Sequence, residues 1–504
     1  MSSDQPSRLQ RIFRVPSWQT EVVLWALVIV ATIGIRLYLP HLLPIALWSK
    51  DASSYTNSAL AWVHTGVWET DPRRGPVYSL LIAACAKAFG SLPSVMICQH
   101  VLGALAILAT LGVARFWMGR KSAVPLALCG LSYGLYDVPL NLEHMIRNET
   151  VLFFFGSLTF ASWLLALHQG KARWLWITGI SAALVTLTKN IYAPFPFLLV
   201  AGYLFWGRAD LRAALKSVAV FAIAFALPFV GVKVLDSFSA PRRPAEPQSG
   251  ILLYGRTAQF TVLDGGKYPE IKEAIRQEVE DYRNLPVLDN NIIIYHTVIP
   301  HLERILREQG KGPKELNRLC RELGVEAIHV NRVAYIRQMA NDLSHLLFTS
   351  IRGSATPSLD DLKGVRKILL TLKVRDSLVD IPGMIQQLDE AGRGDKFGVY
   401  YLLISTSLLF RLVPALLTSL LLPYLFWKAR GSIRLWWFGL SGVWYFNLVV
   451  LCTVGRPLSR YMIPVLPIMF WTLAAGIALL WEAQRVRLAS KETLERLKQP
   501  GGMV

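Results

Sequence analysis

Apolar residues fill this 504-residue chain in long blocks parted by short polar links, without the 3.6-residue stripe of a water-facing helix. Blocks of about 20 residues match the length that carries an α-helix across a bilayer. The pattern predicts spans near 21–39, 94–116, 122–140, 149–168, 172–187, 191–206, 213–235, 398–426, 433–453 and 461–482. The expected fold class is an all-α polytopic membrane protein of about ten transmembrane helices. The apolar stretch 77–89 is too short for a full span. Counting it as a crossing would reverse every basic link downstream, so it is expected to lie at, or dip into, the outer face.

Between 236 and 397 the pattern changes. A Pro-rich linker, APRRPAEPQ, leads into mixed helical stretches such as YPEIKEAIRQEVEDYRNL and HVNRVAYIRQMANDLSHLLF, with Gly265-Gly266 and Asn290-Asn291 marking turns. The expected organisation is an N-terminal membrane module (1–235) with an outer loop at 40–76, a mainly helical extracytoplasmic domain (236–397), C-terminal transmembrane helices (398–482) and a cytoplasmic tail (483–504).

Charge fixes the orientation. The net charge is +19, yet residues 236–397 hold 23 Lys/Arg against 22 Asp/Glu, so the excess lies in the membrane portion. Four short links carry much of it: Arg115, Arg120 and Lys121; Lys171 and Arg173; Arg208, Arg212 and Lys216; Lys428, Arg430 and Arg434. Only Asp210 opposes them. Retention of basic residues in cytoplasmic loops explains this without a nucleic-acid partner. Arg8, Arg11 and Arg14 precede the first span, and Pro40, His41 and Leu42 follow it without a small-residue cleavage site. The first span is therefore expected to be retained, with the loop after it outside. Cys85, Cys98, Cys129, Cys320 and Cys452 fall mostly in apolar surroundings, where small buried hydrophobes are expected rather than disulfides.

With that topology the outside receives the 40–76 loop, links near 141–148, 188–190 and 454–460, and the 236–397 domain. Asp51 and Tyr55, spaced i, i+4, would share a helix face, making Asp51 a candidate general base; the alternative is an acidic residue complementing a helix dipole. Asp71, Arg73, Arg74, Gly75 and Pro76 precede the 77–89 stretch. Arginines there can bind phosphate in bidentate fashion beside a helix start, although interfacial snorkelling explains them equally. Glu143 and Arg147, also i, i+4, read as a supporting pair at the outer end of a span. Asn148-Glu149-Thr150 fits a glycosylation sequon but abuts a span. Lys189 and Asn190 sit between two apolar stretches, where a lysine is costly enough to invite a functional reading. Arg456, Arg460 and Tyr461 precede the last span, and these outer arginines run against the charge trend. One carboxylate among several cations suits a substrate bearing a phosphate and a group to be deprotonated. No phosphate-cradling Gly-rich loop, metal-ligand spacing, Gly-x-Ser-x-Gly elbow or internal repeat is evident. No cofactor is assigned, and a divalent metal stays open.

These residues resemble the GT-C superfamily of integral membrane glycosyltransferases, closest in pattern to the branch holding protein O-mannosyltransferases and the aminoarabinose transferases of lipid A. The resemblance covers about 20–235 and 398–482. Asp51 matches the family's acidic residue in the first extracytoplasmic loop. RRGPVYSLL resembles its Pro-Pro-x-Tyr-like segment, IRNETVLFFF its acidic motif at a span start, LTKN its Thr-Lys-Gly-Pro-type turn, and SRYMIPVLP its Arg-Tyr-x-x-Pro-x-x-Pro pattern. The chain departs where Lys50 and Ala52 flank Asp51 in place of a second acid, and where Asn190 replaces Gly. The resemblance implies transfer of a sugar, with inversion, from a polyprenyl-phosphate donor to an acceptor hydroxyl on lipid, glycan or protein, on the extracytoplasmic face of a bacterial inner membrane. Asp51 would be the base, with Tyr55, Arg73, Arg74, Lys189, Arg456, Arg460 and Tyr461 toward the donor phosphate and Asp71, Glu143 and Arg147 in support. Membrane lipids would be further partners.

Two other readings stand beside it. A lipid-linked-sugar flippase would show ionisable residues deep within spans and paired repeats. An O-antigen-ligase-like transferase would take a polyprenyl-diphosphate donor and use an outer His with several arginines, for which His301, His329 and His345 are available.

Overall fold

The computed structural model describes residues 15–44, 46–47, 51–68, 74–91, 93–206, 211–237, 249–283, 297–348, 385–386, 389–390, 415–453 and 459–498. All the secondary structure among them is helical apart from one bridge, Leu47 to Met145. Among the described residues seven helical runs are long and apolar enough to cross a membrane: Trp18–Leu42, Ser94–Met118, Arg120–His144, Glu149–Gln169, Arg212–Ser237, Gly431–Cys452 and Met462–Ser490. The chain is thus an all-helical polytopic membrane protein.

The first compact unit comprises 1–240, 350–444 and 462–504. It opens with α1 (Trp18–Leu42), started by Ser17, whose hydroxyl accepts from the Thr20 amide. Next come α2 (Ala52–Thr65) and α3 (Pro76–Phe89), each ended by a left-handed glycine, Gly66 and Gly90. At 14 residues, α3 reaches about 21 Å, short of the hydrocarbon thickness. It is followed by α4 (Ser94–Met118).

The expected span at 122–140 is interrupted. α5 (Ala123–Gly134) stops and α6 (Asp137–His144) restarts after Leu135-Tyr136. Pro139 is the physical reason: it has no amide proton for the Leu135 carbonyl, but is tolerated in the first turn of a new helix. Then follow α7 (Glu149–Gln169), α8 (Ala172–Thr188), α9 (Phe195–Trp206) and α10 (Leu211–Ser237). Helix packing here uses small and hydroxyl residues, as expected where lipid offers no hydrophobic drive. Thr159 and Ser181 lie 2.9 Å apart, as do Ser162 and Thr178, joining α7 to α8. Gly179 lets α8 close on Ala224 and Phe221 of α10. The outward face of α10, with Ile223, Leu227, Val230 and Val234, is exposed and apolar, as a lipid-facing helix requires. Cys85 and Cys98 meet as free thiols at 3.1 Å.

The second unit comprises 241–349 and 445–461. Its helices are amphipathic: α11 (Ser249–Thr257), α12 (Pro269–Ala274), α13 (Arg276–Arg283), α14 (Val298–Glu308), α15 (Pro313–Val330) and α16 (Arg332–Phe348). They bury a core that includes Ile275, Leu302, Leu319 and Leu323. Arg256 is buried, pairs with Asp342, and donates to the Cys452 carbonyl at 2.9 Å.

Helices α17 (Ala415–Lys428), α18 (Gly431–Thr453) and α19 (Leu466–Lys498) complete the order. Residues 398–414 of one expected span lie outside the described residues. The start of the last one, Ser459–Val465, is a tight 3-10 turn carrying Pro464.

Candidate active site

The site begins where α1 ends. The Leu47 amide donates to the His144 carbonyl, and the Ile146 amide donates back to Leu47, each at 2.9 Å. That bridge ties the segment leaving α1 to the link between α6 and α7, two stretches about a hundred residues apart in sequence. Asp51 then stands at the N-cap of α2, with a helical φ of −79° and no side-chain cap bond. Its carboxylate is therefore not spent on the helix start. Instead Oδ1 accepts from Nη2 of Arg74 at 2.6 Å. Arg74 donates a second bond through Nε to the Ser54 hydroxyl at 3.0 Å, and Ser54 donates to the Asp51 carbonyl at 2.7 Å. The guanidinium also lies over the Tyr55 ring, 5.2 Å from its centroid. Asp51 and Tyr55 are thus brought to one guanidinium, one turn apart on α2.

Arg74 is held in place by its neighbour. Gly75 starts α3 against the last carbonyls of α8, and a Cβ there would collide with Leu187 O. Asn148 of the α7 N-cap donates to Thr188 O at 3.3 Å, so the ends of α3, α7 and α8 converge. Lys189, just past α8, reaches 3.9 Å from Glu149 in the first turn of α7. Behind them Tyr55 meets Tyr78 edge to face at 5.0 Å, and the Tyr78 hydroxyl donates to Gln99 at 2.7 Å. Gln99 spreads its amide over the Glu143 and Met145 carbonyls, fixing the α6–α7 link.

The electrostatics separate the two kinds of group. Asp51 and Arg74 are about one third exposed, at 35% and 32%, whereas Glu149 is buried at 4% and Lys189 is intermediate. Burial pushes the Tyr55 phenol well above its ordinary value; Arg74 opposes that, while Glu149 and Asp51 add to it. Tyr55 is therefore a neutral phenol in any working range, and a hydrogen-bond donor rather than a base.

The expected Glu143–Arg147 pair is corrected. α6 ends at His144 and the chain turns extended at Met145, so the i, i+4 geometry is lost. Glu143 points into the bundle instead, fully buried, 2.8 Å from Arg36 of α1 and 3.0 Å from His100 of α4. A Cβ on Gly103 would strike its carboxylate, so the pocket is fitted to it. Arg147 stays half-buried in the link. Asp71, Arg73 and Arg456 lie outside the described residues; Arg460 and Tyr461 lie in the Ser459–Val465 turn, and their side chains are likewise not described. Among the described residues no three His, Cys, Asp or Glu side chains gather as a metal-ligand set.

Sequence reasoning did not single out Ser54, Gln99, Arg36 or His100. Arg36 and His100 did carry a signal, an ionisable residue within an apolar block. Their network is one mark of the flippase reading, but Arg36 lies roughly 9 Å from the end of its helix rather than at mid-span. Of the histidines weighed for a ligase-like site, His301 bonds Glu278 at 2.6 Å, His329 lies near Arg332, and the His345 side chain is outside the described residues.

Comparison with known proteins follows the same lines. Residues 73–232, about a third of the chain, match the family described as dolichyl-phosphate-mannose-protein mannosyltransferase. That segment holds Arg74, Glu149 and Lys189 and leaves Asp51 outside. No curated protein matches the chain. Among solved structures, the crystal structure of ArnT from Cupriavidus metallidurans bound to undecaprenyl phosphate shares 15% identity at a TM-score of 0.37, covering 84% of this chain and 85% of that one. The oligosaccharyltransferase of Archaeoglobus fulgidus in its apo form shares 12% at 0.45, covering 95% of this chain and 53% of that one. At these TM-scores neither likeness decides the fold or the site. The family match agrees with the resemblance drawn from the ordered motifs: over residues 73–232 this chain is similar to the dolichyl-phosphate-mannose-protein mannosyltransferase family.

Proposed function

We propose that this chain moves a sugar from a polyprenyl-phosphate donor to an acceptor hydroxyl on the extracytoplasmic face, with inversion, and that Asp51 is the general base. The observation that carries the reading is the Asp51–Arg74 pair: a carboxylate and a guanidinium 2.6 Å apart, both part-exposed, on the loop that leaves the first span. The family match over 73–232 supports the donor class. The topology remains that of the sequence: about ten spans, with 236–397 as a helical domain outside, and the outer leaflet of a bacterial inner membrane as the place of reaction.

In this mechanism the acceptor oxygen attacks the anomeric carbon, its proton passing to the Asp51 carboxylate. The anomeric C–O bond breaks, and its electron pair leaves on the lipid phosphate. Arg74 can serve both partners in turn. A donor phosphate is a competing bidentate acceptor for its guanidinium, so donor arrival would draw Arg74 from Asp51 and hand the carboxylate to the acceptor. Lys189, 3.9 Å from Glu149, can close on the same phosphate, and Tyr55 can donate from below. Arg73, Arg456, Arg460 and Tyr461 remain candidates for the donor, and Asp71 and Arg147 for support. Fixed cations where charge develops stabilise the transition state more than the ground state.

The test is release of polyprenyl phosphate from a labelled donor by purified, folded Asp51→Asn protein. Turnover at the wild-type rate would sink the mechanism.

A further inference from the structure

The opposite end of the first unit carries a second cavity with its own chemistry. It encloses about 430 Å³ between the C-terminal end of α4 and helices α17, α18 and α19. Tyr78 meets Gln99 near the start of α4, and the cavity is lined by Trp117 near its end. Eighteen residues of helix separate the two, about 27 Å, so this is not an extension of the active site.

Three cations from three different segments converge on the cavity: Lys121 from the turn after α4, Lys428 from the end of α17, and Arg430 from the link to α18. Among the described residues no carboxylate pairs with any of them; Lys428 rests only on the rings of Tyr424 and Trp427. The acid in the lining, Glu482, is engaged by Arg485 at 2.6 Å. Beneath the cations the wall turns apolar, with Leu425, Ile433, Trp437, Ala475, Ala478 and Leu479. Retention of basic residues on one side of a membrane accounts for the presence of these charges. It does not account for their meeting over one cavity that has an aliphatic and indole floor.

We propose that this cavity is a binding site for an anionic phospholipid, its phosphate held by Lys121, Lys428 and Arg430 and an acyl chain lying along Trp437, Ala478 and Leu479. A basic mouth over an apolar slot between helices fits an amphiphile with a charged head, and three surface cations contribute enough to discriminate it from a zwitterionic lipid.

The test is native mass spectrometry of the full chain, delipidated in detergent and re-exposed to dioleoyl phosphatidylglycerol or dioleoyl phosphatidylcholine. The wild type should retain the anionic lipid about ten- to a hundredfold better. The triple variant Lys121→Gln, Lys428→Gln, Arg430→Gln should lose that preference, while Lys171→Gln with Arg173→Gln should keep it. Ala478→Phe, which fills the slot with every charge in place, should also lower retention; it serves if the triple variant fails to fold. Equal retention of the two lipids, or undiminished retention in either cavity variant, overturns the proposal. So does full displacement of the lipid by millimolar inorganic phosphate, which would mark a site for the free anion.

Discussion

Among the arginine–carboxylate pairs described in the first unit, two have nearly the same length and opposite character. Asp51–Arg74 spans 2.6 Å and each partner is about one third exposed. Arg36–Glu143 spans 2.8 Å with both partners essentially inaccessible. Further partners hold the buried pair: Arg36 donates to the Gly134 and Thr32 carbonyls, His100 bonds Glu143, and His144 lies 3.2 Å from His100. Water cannot replace those partners, so the buried pair is a fixed joint between α1, α4 and α6. The exposed pair sits in a screened, accessible place and can exchange partners at low cost. Exposure, not distance, decides which pair can take part in chemistry.

Substitutions can break that comparison. The largest effect is expected from Asp51→Asn, which should cut donor turnover by about 10²- to 10⁴-fold, as for loss of a general base, while thermal unfolding of the purified protein barely moves. Glu143→Ala should do the reverse, lowering unfolding stability by about 3–5 kcal/mol because Arg36 is left buried without its charge partner; the pair Arg36→Met with Glu143→Leu should recover most of that loss in the same denaturation assay. Arg74→Gln comes next, raising the donor KM by about tenfold through loss of a charge-assisted bond worth about 1.5–3 kcal/mol. Smallest is Tyr55→Leu, which removes the ring beneath Arg74 and should cost about 0.5–1 kcal/mol in kcat/KM. If the Asp51 and Glu143 variants instead gave the same pattern, two structural pairs rather than one working pair would be the correct description.

Much of the fold was legible in the order of residues. Apolar block length marked the crossing helices, and Gly66 and Gly90 ended α2 and α3 as glycines past a helix do. The break within 122–140 was legible in principle, since Pro139 forbids a continuous ladder there. Spacing misled at Glu143 and Arg147, because i, i+4 means proximity only while the helix continues, and α6 ends between them. The site was half legible. Asp51, Arg74 and Lys189 are conspicuous because charge is costly near lipid. Ser54 and Glu149 resemble any polar residue in a first turn, and nothing local shows that they will face those cations, nor that Gln99 will meet Tyr78 and the α6–α7 link.

The sequence by itself determined that the chain is helical and crosses a membrane several times, because the cost of unsatisfied backbone in lipid leaves an apolar block of 20 residues little alternative. It also determined which short links are basic and which family's motifs its own segments resemble. Only the tertiary structure decided which carboxylate each arginine meets. That choice depends on the Leu47–Met145 bridge and on Gly75 closing against α8, contacts between segments about a hundred residues apart. Separation in sequence carries no information about such contacts, whereas packing in three dimensions sets both the distance and the exposure that give each pair its role.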